Sequence, residues 1–333
     1  MIKKEFFDNF NDKPIYKYVL QNGKMSVSVL TYGGIVQSIL LQKDTPLDVV
    51  LGCNTISQYL TAGAYLGAIV GRCANRIENG KFSLNGKNFQ LDTNSATNHS
   101  HGGFLGFSKR VFDSKVENDT LKLFLKSHDG DQGYPGELNF ELHYSLVDTA
   151  LVIDYFATCS QDTIFAPTSH IYFNLNGENS QTTILNHELQ IFADCYTPVK
   201  NNLIPTGDVV PVFASPFDFT LPKKIGKDIF KSDEQLIIGQ GYDHNFCVEP
   251  GLQCVAVGEN GVKMNTYSTF CGVQFYAGSK LKDKQGKSVY GTHSGFCLET
   301  QFYPNAINTP NFKQPILKKD EKFHAQTKYE FEF

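Results

Sequence analysis

Two titratable side chains, Glu299 and His170, lie beside apolar residues that predict buried strands. Glu299 directly follows the run Phe296-Cys297-Leu298, and His170 belongs to the stretch "SHIYFN". A carboxylate at the end of an apolar strand loses solvation, which raises its pKa toward the range of a general base at neutral pH. An imidazole titrates near neutrality and can supply a proton. Both residues also have a purely structural interpretation, as a surface glutamate and as a hydrogen-bonded strand histidine.

Three further stretches concentrate polar side chains among apolar ones. They are "GRCANRI", which contains Asn75 and Arg76, "NHSHGG", which contains His99 and His101, and "GYDHNF", which contains Asp243. Arginine, asparagine, histidine and aspartate are all hydrogen-bonding side chains and suit a small polar ligand. The structural alternatives are an ion pair for the arginine and an Asx turn for the aspartate.

The pair His99-x-His101 also permits a metal hypothesis, with His170 as a third ligand. Two histidines one residue apart on a strand face have a geometry that binds metal ions. No matching cluster of ligands accompanies them, and the two glycines after His101 suit a tight turn or close backbone approach. The residues therefore favour a site without metal.

Composition excludes several other classes of protein. The formal net charge is -4, and only three of the 30 basic residues are arginine, which gives no basic field for nucleic acid or anionic lipid. No apolar run approaches the roughly 20 residues that span a bilayer, and the N-terminus has no apolar signal core. The eight cysteines are scattered singly, as in a reducing compartment. We expect a cytoplasmic protein whose partner is a small molecule, with no nucleic acid and no membrane.

The elements that must hold these residues are mostly strands. Asn-Gly pairs at Asn22-Gly23 and Asn85-Gly86 predict two-residue hairpin turns. Helical signals are confined to "NTISQYL", where Asn54 or Thr55 caps a turn or two, and "KSDEQLI" near Ser232. Alternating apolar and polar residues predict strands in "KYVL", "KMSVSVL", "KFSLNGKNFQL", "LKLFLK", "FELHYSL", "ALVIDYFAT" and "KYEFEF".

Many short strands without alternating helices predict an all-β fold. At this length we expect a large antiparallel β-sandwich with few short helices, filled as a single domain over residues 1–333. No linker or low-complexity tract divides the chain. Such a sandwich offers a broad concave sheet face on which strands hold side chains at fixed spacing.

Taken in order, the polar stretches resemble the galactose mutarotase, or aldose 1-epimerase, family. The resemblance runs from about Thr31 to about Phe312, and the ordered combination of NHxHGG, HxYFNL and LETQ is specific. Ser100, Ser169 and Asn305 stand where the family often has Leu, Asn and Asp, which bears on sugar preference more than on chemistry. The supporting motifs are "TYGGIVQSI", "DVVLG", "GRCANRI", "NHSHGG", "DGDQGYPGEL", "SHIYFNLNG", "CYTPVKNNLIPTG", "SPFDFT", "GYDHNF", "QFYAG" and "LETQFYPNA".

The resemblance implies a galactose mutarotase-like supersandwich that interconverts the α and β anomers of free aldohexoses, such as galactose and glucose. It implies no metal and no organic cofactor. Glu299 matches the base that takes the proton from the C1 hydroxyl, and His170 matches the acid that protonates the ring oxygen. His99 is expected to point away from the sugar and to stabilise its loop. The implied sugar contacts are Asn75, Arg76, His101, Tyr172, Asp243 and Gln274.

These roles require His170 to hold a proton while Glu299 stays ionised. A charged carboxylate beside an imidazole favours the imidazolium, so we expect the two groups to support each other's charge. We also expect them to titrate as a unit.

Three alternatives stay open at this point. A hexose-6-phosphate 1-epimerase on the same fold needs a basic phosphate pocket, which three arginines disfavour but lysines would supply. A glycosidase would use Asp243 and Glu299 as its two carboxylates. A non-catalytic sugar-binding protein would leave the spontaneous reaction unchanged. The oligomeric state is also open, with a monomer or weak dimer as the expectation.

Overall fold

The computed structural model describes all 333 residues and consists mainly of short antiparallel strands. Two helices interrupt them, α1 at Ile56–Ala62 and α2 at Glu234–Gly239. The strands are β1 Ile2–Phe10, β2 Lys13–Gln21, β3 Met25–Leu30, β4 Val36–Leu41, β5 Leu47–Asp48, β6 Ala68–Val70, β7 Arg76–Ile77, β8 Lys81–Leu84, β9 Lys87–Gln90, β10 His99–Ser100, β11 Asp113–Glu117, β12 Thr120–Ser127, β13 Leu138–Val147, β14 Ala150–Cys159, β15 Thr163–Ile164, β16 Thr168–His170, β17 Glu188–Ile191, β18 Cys195–Thr197, β19 Val210–Pro211, β20 Lys223–Lys224, β21 Asp243–Cys247, β22 Gly251–Val257, β23 Lys263–Ser268, β24 Gly272–Tyr276, β25 Lys284–Gln285, β26 Val289–Tyr290, β27 Cys297–Gln301, β28 Ile316–Leu317 and β29 Phe323–Glu332.

Three sheets contain most of these strands. The first is a meander of β1 to β5 in chain order. The second has nine strands in the order β11-β12-β13-β14-β29-β23-β22-β17-β20, and the third has five in the order β19-β18-β21-β24-β27. Every strand pair in the three sheets is antiparallel. The prediction of an antiparallel all-β fold with few short helices is confirmed.

A shared apolar core joins the three sheets. A cluster of 56 buried residues includes Val27 from the first sheet, Leu142 from the second and Phe246 from the third. β13 shows how the pattern produces this core: Phe140 and Leu142 are buried, while Glu141 between them is only partly covered. Because strand side chains alternate between faces, one face of each sheet supplies apolar area to the common interior.

The two Asn-Gly turns have different outcomes. Asn85 and Gly86 both have positive φ, 52° and 75°, and join β8 to β9 as a two-residue turn, as predicted. At the first pair the two-residue prediction is wrong, because the loop between β2 and β3 has three residues, 22–24. There the Oδ1 atom of Asn22 accepts hydrogen bonds from the backbone N–H groups of Lys24 and Met25, at 3.2 and 3.1 Å. This side-chain turn replaces the backbone turn.

Both predicted helices exist, and each begins with a side-chain cap. The hydroxyl of Thr55 accepts from the N–H of Gln58, whose side chain accepts in return from the N–H of Thr55. Asp233 caps α2 by accepting from two backbone N–H groups. α1 ends at Gly63, with φ 63°, and this turn leads the chain into the wall of the cavity described below. Neither helix has the length and apolar character needed to cross a membrane.

Candidate active site

One face of the five-stranded sheet carries polar side chains in place of apolar ones. The opposite face contributes Phe246, Phe275 and Leu298 to the core. Because successive residues of a strand point to opposite faces, residues two apart on β21, β24 and β27 share the polar face. Cross-strand register places them in two adjacent rows, Asp243–Tyr276–Cys297 and Asn245–Gln274–Glu299.

A second set of short strands closes over this polar face. β16 pairs with β6, and the hydroxyl of Thr168 in β16 donates to the carbonyl of Thr300 in β27 at 2.8 Å. This contact holds His170, the last residue of β16, over the row that contains Glu299. β7 pairs with β10, which brings the stretches "GRCANRI" and "NHSHGG" side by side.

The two surfaces enclose a cavity of about 270 Å³. Pockets for small molecules commonly measure about 300–1,000 Å³, so this one suits a ligand of monosaccharide size. Seven of the eight site residues predicted from the sequence line it: Asn75, Arg76, His101, His170, Tyr172, Asp243 and Glu299.

Glu299 and His170 form a buried pair in the cavity wall. The Oε1 atom of Glu299 lies 3.6 Å from Nε2 of His170, and the two side chains are 3% and 6% exposed. The other carboxylate oxygen, Oε2, is buried without a hydrogen-bond partner. A buried polar atom without a partner is costly in a folded protein, so this oxygen is available to a ligand.

Burial moves the pKa values of this pair in opposite directions. Loss of solvation raises the pKa of Glu299 well above its usual value; the charge of Asp243 adds to the rise, and Arg76 opposes it. Loss of solvation lowers the pKa of His170 to about 4. These directions oppose the expected pairing of an imidazolium with a carboxylate. Desolvation of two charges outweighs their attraction.

The ring of His170 is held by two stacked tyrosines and by a contact at its Nδ1 atom. Tyr172 stacks on it with centroids 4.9 Å apart, and Tyr65 stacks at 5.8 Å. The Sγ atom of Cys297 lies 3.4 Å from Nδ1. Burial raises the pKa of this thiol well above its usual value, so the sulfur keeps its proton. The contact orients Nε2 toward Glu299.

His101 is prepared to donate a hydrogen bond into the cavity. Its Nδ1 atom accepts from the backbone N–H of Asn75 at 3.3 Å, and the backbone N–H of His101 donates to the carbonyl of Asn75 at 2.9 Å. The ring proton therefore lies on Nε2. Burial lowers the pKa of His101 well below its usual value, so the imidazole is neutral.

His99 is separated from the cavity, as predicted. Its Nδ1 atom lies 2.6 Å from the carbonyl oxygen of Asp92, and its Nε2 atom lies 2.6 Å from the hydroxyl of Tyr134. Because both nitrogens have protein partners, His99 and His101 do not form the two-histidine metal site that the sequence permitted.

Gln274 is the one predicted contact that does not line the cavity. Its Nε2 atom donates to Oδ1 of Asp243 at 2.8 Å, while its Oε1 atom accepts from Nε2 of Gln301 at 3.4 Å. The amide therefore orients the carboxylate of Asp243 in this structure. The register explains the contact, since Gln274 lies on the same face as Asp243, two residues along β24 from its cross-strand partner Tyr276.

The two arginines of "GRCANRI" have separate roles. Arg72 is 1% exposed, and its guanidinium donates to the hydroxyl and carbonyl of Ser127 and to the carbonyls of Pro135 and His128. Arg76 lines the cavity. Spacing in the sequence does not distinguish the two, because only the packed fold shows which guanidinium is buried among backbone carbonyls.

Sequence reasoning missed several lining residues. Tyr276 lies two positions from Gln274 on the same strand, so the alternation of strand side chains could have identified it. Cys297, two positions from Glu299, does not line the cavity but contacts the ring of His170. Tyr65 follows α1 in an irregular segment with φ 56°, and no pattern marked it. The lysines Lys280 and Lys284 also line the cavity and looked like ordinary surface residues.

Comparison with known proteins agrees with this geometry. Residues 16–330 match the family model described as aldose 1-epimerase. The chain is 38% identical to a galactose mutarotase of Sus scrofa, with 97% of each chain covered. It is 35% identical to an aldose 1-epimerase of Escherichia coli, with 93% of each chain covered. A crystal structure of galactose 1-epimerase from Lactobacillus acidophilus superposes with a TM-score of 0.89 at 26% identity, covering 100% of this chain and 98% of the other.

Proposed function

The chain belongs to the aldose 1-epimerase family of isomerases, and we propose that it interconverts the α and β anomers of free aldohexoses such as galactose and glucose. Glu299 is the base and His170 is the acid. The main support for these roles is the distance of 3.6 Å between Oε1 of Glu299 and Nε2 of His170. The hydroxyl that loses a proton and the ring oxygen that gains one are both bonded to C1, so the base and the acid must lie side by side.

The reaction needs one proton transfer at each oxygen. Glu299 takes the proton of the C1 hydroxyl, the C1–O5 bond breaks as the C1 carbonyl forms, and His170 gives its proton to O5. Rotation about C1–C2 then presents the other face of the carbonyl. The same two groups act in reverse during ring closure, so no net proton is consumed.

Sugar binding favours the ionised form of Glu299. A hydroxyl that donates to the unpartnered Oε2 atom stabilises the carboxylate and lowers the pKa of Glu299. The positive charge of Arg76 acts in the same direction. The single proton of the pair then moves to His170, which gives the ionised base and protonated acid that the reaction requires. The total charge of the pair does not change.

The other lining residues recognise hydroxyl groups. His101 donates from Nε2, Asp243 accepts, and Asn75 and Arg76 lie beside His101 in the same wall. Tyr172 supports the ring of His170 by stacking. A cavity lined by fixed donors and acceptors suits a ligand with a hydroxyl on nearly every carbon, and it disfavours analogues that leave these groups unpaired.

Polarimetry of freshly dissolved α-galactose and α-glucose tests the proposal. We expect acceleration over the spontaneous rate, loss of that acceleration in Glu299→Gln, and a sharp fall in His170→Asn. A non-catalytic sugar-binding protein would leave the spontaneous rate unchanged. A glycosidase would release the aryl group from an aryl galactoside, which we do not expect. Activity should also survive treatment with EDTA.

Phosphorylated hexoses are a second candidate substrate class, favoured by the two lysines in the cavity wall. Lys280 and Lys284 line the cavity, and neither forms an ion pair within the chain. If they bind phosphate, galactose 6-phosphate should have a lower KM than galactose, and Lys280→Ala/Lys284→Ala should remove the difference. Lys282, an exposed neighbour that does not line the cavity, is the matched control. Equal KM values for the two sugars would exclude this candidate.

We also propose a cytoplasmic location and a monomeric or weakly dimeric state. All eight cysteines are free thiols, and five of them are buried, as expected for a chain kept in reducing surroundings. Cell fractionation tests the location. Light scattering across a range of concentrations tests the oligomeric state.

A further inference from the structure

We propose that the cavity is also a binding site for a soft divalent cation such as Zn²⁺, held by His170, Cys297 and Glu299. The bound ion would occupy the position of the reacting end of the sugar and inhibit the enzyme, a consequence that rests on the proposed function. These ligands differ from the His99-x-His101 pair that the sequence suggested.

Cys297 and Glu299 approach the two different ring nitrogens of His170, of which a single ion would use one. The Sγ atom of Cys297 is 3.4 Å from Nδ1 of His170, and Oε1 of Glu299 is 3.6 Å from Nε2. One atom from each residue can be chosen so that all three lie within 4.8 Å of one another. Tetrahedral zinc separates its nitrogen, sulfur and oxygen ligands by about 3.3–3.6 Å, so a rotation that moves side-chain atoms by about 1 Å completes the site.

The ligand set matches the chemistry of zinc. A thiolate, an imidazole and a carboxylate are each common zinc ligands, and three protein ligands leave a fourth position open to water. Thiolate and imidazole together favour Zn²⁺ over Mg²⁺ or Ca²⁺, which prefer oxygen ligands. His170 and Glu299 line the cavity, and Cys297 is buried against the His170 ring.

A second observation points to a missing ligand at this place. All three residues are buried, and the Oε2 atom of Glu299 has no hydrogen-bond partner. On binding, Zn²⁺ replaces the thiol proton of Cys297 and the carboxyl proton of Glu299, and both protons pass to solvent.

Spectroscopy with Co²⁺ as the probe tests the metal site without any measurement of activity. The experiment uses the full chain carrying Cys195→Ser and Cys247→Ser, because these two partly exposed thiols lie opposite each other on β18 and β21 and could bind the ion independently. We expect one Co²⁺ per chain, with a thiolate-to-metal charge-transfer band in the near ultraviolet. The band should vanish in Cys297→Ser and persist in Cys271→Ser, a control at the remaining partly exposed thiol.

Competition with sugar tests the inhibitory consequence. Excess galactose should displace Co²⁺ and abolish the band, Zn²⁺ should raise the apparent KM for galactose at least tenfold, and EDTA should restore it. A band that is absent, or unchanged in Cys297→Ser, overturns the metal site. A band that persists at saturating galactose overturns the competition. If the chain failed to accelerate mutarotation at all, the proposed function would fall, while the Co²⁺ spectrum would still decide the metal site.

Discussion

The same residue types occur together in two regions of this molecule, with different consequences. The cavity contains His170 beside Glu299, whose side chains are 6% and 3% exposed. The outer face of the nine-stranded sheet carries the pair His143 and Glu141, which are 18% and 37% exposed. A groove of about 500 Å³ lies beside this outer pair, so it is larger than the cavity of about 270 Å³. Residue type and pocket size alone would favour the wrong region.

Burial and hydrogen bonding distinguish the two regions. The outer imidazole faces its carboxylate within hydrogen-bond distance and packs at a tilt against Phe156, with ring centroids 4.8 Å apart. Water reaches both side chains. The cavity pair has lost water, and one carboxylate oxygen has no partner. Shifted pKa values and an unpaired buried oxygen are features of a site that awaits a ligand. A surface pair of this kind contributes only about 0–1 kcal/mol to stability.

Removing the proton-transfer groups of the cavity should lower the enzymatic rate far more than removing the outer pair. We expect Glu299→Gln to lower the enzymatic rate by about 10²–10⁴-fold, because a placed base contributes a factor of this size, and His170→Asn to cause a similar loss. Polarimetry of α-galactose measures both. The outer variants Glu141→Gln and His143→Asn should retain the full rate. Acceleration that survives in the Glu299→Gln/His170→Asn double variant would contradict the assignment.

The pH dependence of kcat/KM should report the cavity pair, since this parameter follows the free enzyme. The active form holds one proton on the pair. As pH falls through about 4, the pair gains a second proton, which binds to His170, and activity is lost. As pH rises through the raised pKa of Glu299, the remaining proton leaves and activity is lost again.

A bell-shaped profile is therefore expected, with its acidic limb near pH 4 and an alkaline limb well above the usual range of a carboxyl. In Glu141→Gln both limbs should stay where they are, because the outer pair takes no part. An alkaline limb that is absent up to the pH at which the protein unfolds would contradict a raised pKa for Glu299.

Gln274 offers a smaller effect, because it acts through Asp243. The variant Gln274→Leu removes the donor that orients this carboxylate, and we expect KM for galactose to rise about tenfold, or about 1.4 kcal/mol, with kcat changing less. Steady-state polarimetry separates the two parameters. Gln274→Glu places a second carboxylate beside Asp243 and should weaken binding further. A fall in kcat at constant KM would show that Gln274 acts elsewhere.

The smallest effect is expected for the stability of the outer face. We expect Glu141→Gln to change the free energy of unfolding by less than about 1 kcal/mol, since its pair with His143 is partly exposed and screened.

By contrast, Arg72→Met should lower the free energy of unfolding by about 3 kcal/mol or more, because it leaves the buried carbonyls of Ser127 and Pro135 without their donor. Urea denaturation compares the variants. A large loss in Glu141→Gln would show that the outer pair is more than a surface contact.

Local patterns predicted the elements of this fold well, because they depend on neighbouring residues. Thr55 caps α1 as expected, and the turn at Asn85-Gly86 has the predicted conformation. The prediction failed at Asn22, where a side chain bonded the backbone in place of the expected turn. The assignment of residues 1–333 to a single domain stays a prediction.

The sequence by itself determined which kinds of chemistry were available, because Glu299, His170, His101 and Asp243 occur in ordered motifs beside apolar strands. Tertiary structure alone decided which of these groups meet. Cross-strand register aligned Glu299 with Gln274, and the contact between β16 and β27 brought His170 within 3.6 Å of the carboxylate. It also set the directions of the two pKa shifts, since these arise from loss of water around both groups and not from the identity of either residue.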